Sequence, residues 1–123
     1  MENLDTLAAK TAQAIVNATS QPKELDILAT KTLGVLQENG VYACTLFLSS
    51  RTRDVEKTLA DAIQKELFSL CSNLLPKKVP ESREKCLEFV ANEIAGDLDT
   101  LLLVKQVWEQ TLIYVRYGAK ARS

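Results

Sequence analysis

Apolar residues recur three and four positions apart along nearly the whole chain, and only four glycines and three prolines interrupt them. That period is the signature of one face of an α-helix, not the alternation of a half-buried strand. The chain is therefore expected to be all-α, a single compact bundle of about five to six helices with residues 1–123 forming one domain. Its 123 residues, 46% of them apolar and 25% charged, suit one domain that can bury a core and exclude a disordered tail.

The breaks place the helices. Leu4, Leu7, Thr11, Ile15 and Ala18 form the first face, with Asn3 as a cap candidate and Gln21-Pro22 as the break. Pro22 opens a second helix, which turns Leu25, Leu28, Ala29, Thr32, Leu33 and Leu36 to one side and stops at Glu38-Asn39-Gly40. The apolar run from Val41 to Ser50 reads as a third, buried helix, because a lone strand would have no pairing partner. Asp54 is expected to cap a fourth helix with Val55, Leu59, Ala62, Ile63, Leu67 and Leu70 inward, ending in the linker Leu75-Pro76-Lys77-Lys78-Val79-Pro80. A short helix from about Glu81 to Glu93 buries Cys86, Phe89 and Val90. The last runs from Leu98 to about Ala119, capped by Asp97 or Asp99. Its stripe of Leu101, Val104, Trp108, Leu112 and Val115 is widened by Leu102, Val107, Ile113, Tyr114 and Tyr117. So wide a stripe implies a central helix, or one with a second face for a partner.

The chain contains no histidine, which removes imidazole as base, proton shuttle or metal ligand. Cys44, Cys71 and Cys86 form no CxxC pair and read as small core residues, giving neither a zinc site nor a disulfide framework. Gly34, Gly40, Gly96 and Gly118 are too scattered for a phosphate loop. Asp97 and Asp99 are better explained by capping than by metal binding. Glu81, Glu84 and Glu88, beside Arg83 and Lys85, read as a solvated helix side. No catalytic residue, cofactor site or metal site is expected, and the chain is read as not an enzyme. A helix-turn-helix reading of the segments around Asn39-Gly40 fails, because Val41 to Leu48 presents almost no polar side chain to base edges. No apolar stretch approaches the ~20 residues that span a bilayer. The N-terminus lacks the basic and apolar regions of a secretory signal, so no membrane partner and a cytoplasmic location are expected.

The formal charge is -1, so any attraction for nucleic acid must come from local clusters. Arg51, Arg53 and Lys57 cluster at the start of the fourth helix, and Lys77-Lys78 lie in the loop after it. Arg116, Lys120 and Arg122 lie in a C-terminal stretch without an acid after Glu109. Each cluster suits a solvated surface, and the last also suits the negative end of a helix dipole. The aromatic rings of Tyr42, Tyr114 and Tyr117 are able to stack on bases, but core packing with the hydroxyl on a polar partner is the expected role.

The stretch Leu36-Gln37-x-x-Gly40-x-x-x-x-x-Leu46-Phe47-x-x-Ser50-Arg51 follows an N-terminal helix with Ala8-Ala9-Lys10. With Lys105, Leu112, Tyr114, Arg116, Tyr117 and Gly118 in the last helix, it resembles the small subunit of type III-B CRISPR effector complexes, the Cmr small-subunit family. The segment between Asp54 and Glu93 and the acidic first forty residues depart from that pattern. The resemblance implies a non-catalytic helical subunit, present in more than one copy, that stacks along a ribonucleoprotein filament. Its partners would be the backbone and large subunits, further copies of itself, guide RNA and target RNA, in antiviral defence. Arg51, Arg53, Lys57, Arg116, Lys120 and Arg122 are the expected RNA-phosphate contacts, ahead of Lys77 and Lys78. The rival reading is a helical adaptor that docks to another protein through the wide last helix and has no nucleic-acid role.

Overall fold

The computed structural model describes residues 3–76, 79–80 and 82–123. Five α-helices follow one another: α1 (Leu4–Asn17), α2 (Pro22–Ser49), α3 (Asp54–Leu74), α4 (Arg83–Phe89) and α5 (Leu98–Arg122), with a π-helical turn (Val90–Ile94) after α4. No strand occurs among the described residues. Lys77, Lys78 and Glu81, singled out above, lie outside them.

Local chemistry sets the boundaries. The Asn3 side chain accepts the Thr6 N–H at 2.7 Å and so caps α1. Pro22 sits in the first turn of α2, where its missing N–H costs nothing. At Gly40 the backbone turns to φ 94°, ψ -173° and bends α2, a conformation open essentially to glycine alone. The expected second and third helices are thus the two arms of α2, at 22–39 and 41–49. Arg53, and not Asp54, holds the cap position of α3. Asp54 is instead its first helical residue, where a carboxylate favours the positive helix end. Ser82 caps α4 by accepting the Lys85 N–H at 3.4 Å. The expected continuous helix to Glu93 gives way to the π turn, closed by the Ala95 N–H on the Val90 carbonyl at 2.8 Å. Val90 and Ile94, the first and last residues of that turn, are both fully buried. Asp97 caps α5, accepting the Asp99 N–H at 3.2 Å and the Thr100 hydroxyl at 2.8 Å, and α5 continues to Arg122.

The core draws on every helix. α5 is central and packs most extensively against α2 and then α1. Trp108 is fully buried and meets Phe68 edge-on at 5.4 Å, while Phe68 meets Phe89 at 6.4 Å, joining α3, α4 and α5. Thr11, Thr32, Thr45 and Thr111 are buried polar residues within the helices. Each donates its hydroxyl to the carbonyl four residues back, at 2.7 to 3.0 Å, which removes the penalty of burying a free hydroxyl. Cys44, Cys71 and Cys86 are all buried and unpaired, and burial pushes the Cys44 and Cys71 thiols up to about 12.

Several expected inward positions face solvent. Leu4, Val55, Leu102 and Tyr117 are exposed, as is Ala18. In α3 the buried face is instead widened by Gln64 and Phe68, because that helix packs against both α1 and α2. Among the described residues, no helix is long and apolar enough to cross a membrane.

Candidate nucleic-acid interface

The first basic group sits where α2 turns into α3. Arg51 is held there by its neighbours. Its Nε donates to the Phe47 carbonyl at 3.1 Å, one Nη donates to the Ser50 hydroxyl at 3.1 Å, and the guanidinium lies 4.1 Å above the Phe47 ring. The Glu56 carboxylate stands 3.6 Å away. The Phe47 carbonyl, in the last turn of α2, also accepts the Ser50 N–H at 3.2 Å and the Ser50 hydroxyl at 2.8 Å, so Arg51 adds a further side-chain donor to the capping of that end. Arg53 and Lys57 are exposed.

The second group lies at the other end of the chain. Arg122 donates to the Val16 carbonyl at 3.4 Å and to the Asn17 side chain, so the end of α5 lies beside the end of α1. Arg116 approaches Asp26 of α2, with Nε and Oδ1 4.0 Å apart. Lys120, one turn beyond Arg116, is exposed. The last turns of α5, the end of α1 and the first turns of α2 therefore meet, bringing Arg116, Lys120 and Arg122 together. The contacts of this group and of the Arg51 group have no residue in common.

Sequence reasoning missed three contributors to this end. Lys23 is exposed one turn before Asp26, and Ile27 beside it is 52% exposed. Asp26 itself is the third, and only its contact with Arg116, far away in sequence, marks it. The lysines and Ile27 carry a weak local signal: Lys23, Ile27 and Lys31 repeat every four residues on the side of α2 opposite its apolar stripe.

The tyrosines divide. Tyr114 is partly buried and donates its hydroxyl to Asp5, whose carboxylate raises the phenol above its ordinary range, as core packing requires. Tyr42 and Tyr117 are 45% and 70% exposed, so the expectation of core packing is corrected for both. Tyr117 adjoins Arg116 in the second group and leaves an aromatic face among cations. Other apolar side chains also reach solvent, notably Leu46 one turn after Tyr42, and Leu98 with Leu102 at the start of α5. Among the described residues, no group of three or more Cys, Asp or Glu side chains is placed to hold a metal ion.

No family model and no curated protein matches the chain. Its fold is similar to the crystal structure of a CRISPR-associated Cmr5 family protein from Thermus thermophilus. The two superpose with a TM-score of 0.70 over 98% of this chain and 97% of that one, at 15% sequence identity.

Proposed function

We propose that the chain is a non-catalytic small subunit of a type III-B CRISPR RNA-guided effector complex. The observation that carries this reading is the end-to-end likeness of its fold to a CRISPR-associated Cmr5 family protein, which covers nearly all of both chains. The motif around Leu36-Gln37, Gly40, Leu46-Phe47 and Ser50-Arg51 supports it independently, because it spans the bend and the capped end of α2. In this role the chain is one helical domain of the cytoplasm, stacking with further copies of itself beside the backbone and large subunits and helping to hold guide and target RNA in antiviral defence.

Arg51, Arg53, Lys57, Arg116, Lys120 and Arg122 are the proposed phosphate contacts, and their surroundings rank them. Arg53, Lys57 and Lys120 are exposed, and among the described residues their side chains have no hydrogen bond or ion pair to give up on meeting phosphate. Arg51, Arg116 and Arg122 each exchange an internal partner for it, which costs part of the gain. Tyr117, exposed among the cations of the second group, is suited to stack on a base.

Purification of the tagged chain from its native cell tests this reading, with mass spectrometry of partners and sequencing of short RNA before and after ribonuclease treatment. Repeat-derived guide RNAs together with backbone and large subunits are the expected result. A second reading, a protein-docking adaptor, is favoured by Leu98 and Leu102, 67% and 54% exposed on consecutive turns of the central helix. Protein partners that persist without any RNA would establish that reading instead.

A further inference from the structure

The contact between Arg116 and Asp26 is incomplete in a specific way. Their Nε and Oδ1 atoms lie 4.0 Å apart, beyond hydrogen-bond length. Both atoms are buried, and neither has a hydrogen-bond partner. The Arg116 side chain is nonetheless 39% exposed, so part of it reaches solvent while its Nε edge faces α2. Thr30, one turn after Asp26, cannot complete the carboxylate, because its hydroxyl is donated to the Asp26 backbone carbonyl at 2.8 Å. A charged pair that attracts without bonding holds its arginine loosely, and a better acceptor can draw it away.

We propose that Asp26 is the built-in counter-ion of Arg116, holding its guanidinium against α2 until an RNA phosphate takes the carboxylate's place. The inference rests on the RNA-holding role proposed above and adds a control to it. With no RNA present, Asp26 cancels one positive charge at the end of the bundle where Lys23, Lys120 and Arg122 gather. A phosphate offers the guanidinium fork two oxygens in a geometry that the distant Asp26 does not supply. Once displaced, Asp26 is an uncompensated anion and recruits a cation from solution. That uptake offsets one of the counterions released when phosphate is neutralised, so the wild-type chain shows a weaker salt dependence than its cation count implies.

The test is Asp26→Asn in the full chain, read by fluorescence anisotropy with a labelled single-stranded oligoribonucleotide across a salt series. Thermal unfolding of the same samples verifies that the variant is folded, and Asp26→Ser serves as a second variant. The expected result is roughly two- to fivefold tighter binding at low salt. The slope of log affinity against log salt steepens by up to about 0.7. In an Arg116→Ala background the same change at Asp26 has no effect on the slope. Unchanged affinity and slope in a chain that binds RNA would overturn the counter-ion role and leave the RNA-holding reading intact. Equal tightening with and without Arg116 would also overturn it, since Asp26 would then act as a general negative charge. Failure of the wild-type chain and both variants to bind RNA would sink the RNA-holding reading and this inference together.

Discussion

The two basic groups look alike in sequence, each with two arginines and one lysine in a short span, and they are built differently. In the α2–α3 corner, Arg51 finds its acceptors within five residues of itself, at Phe47, Ser50 and Glu56. At the far end of α5, Arg116 and Arg122 reach across the chain to Asp26, Val16 and Asn17. The first group finishes a helix, and the second ties three helix ends together. In both groups the lysine is exposed, which fits the division between a planar fork that satisfies fixed acceptors and a flexible point charge.

Substitutions can break this comparison at graded depths. Trp108→Ala touches neither group and sets the scale. Removing a fully buried indole beside Phe68 is expected to cost about 3–5 kcal/mol, seen as a large fall in the denaturant midpoint. Gly40→Ala comes next, at about 1–3 kcal/mol, because a β-carbon is strained at φ 94° although nothing crowds it. If the loss is negligible, the bend is not imposed by that residue. Arg122→Ala and Arg51→Ala are each expected to cost about 1 kcal/mol, and hydrogen exchange distinguishes them. Loss of Arg122 should speed exchange in α1, at the opposite end of the sequence, whereas loss of Arg51 should affect only the last turn of α2. Faster exchange in α1 for both variants would erase the distinction between a local and a long-range arginine. Lys57→Ala and Lys120→Ala should shift stability by no more than about 0.5 kcal/mol. Each should also flatten the salt dependence of RNA binding by about 0.7.

Much of the fold was legible because helices write their buried face into local spacing. All six residues expected inward on the first arm of α2 are buried, as are Val104, Trp108, Leu112 and Val115 of α5. Periodicity identifies a face and is silent on whether another helix covers it. Val55 and Leu4 lie in the first turns of their helices and stay exposed there, and Leu102 and Tyr117 flank a stripe wider than the contact made on it. The π turn was illegible because Val90 and Ile94, four residues apart, fit one face of an ordinary α-helix equally well. For the candidate interface, the clusters could be read as runs of charge, but their internal partners could not. Asp26, Asn17 and Val16 owe their places beside Arg116 and Arg122 to helix packing, which no local pattern records.

The seam between α1 and α5 has a consequence for how the chain is made. Asp5 and Tyr114, which close it at one point, are 109 residues apart, so α1 is synthesised well before α5 and waits for it. At about 5–20 residues per second, α1 spends roughly 5–20 s without its main packing partner. During that interval Ala8, Ala12, Ile15 and Val16, all buried in the folded bundle, have only the intervening helices, chiefly α3, to shelter them. A nascent chain stalled before α5 would present that apolar face to chaperones, and docking of α5 would withdraw it.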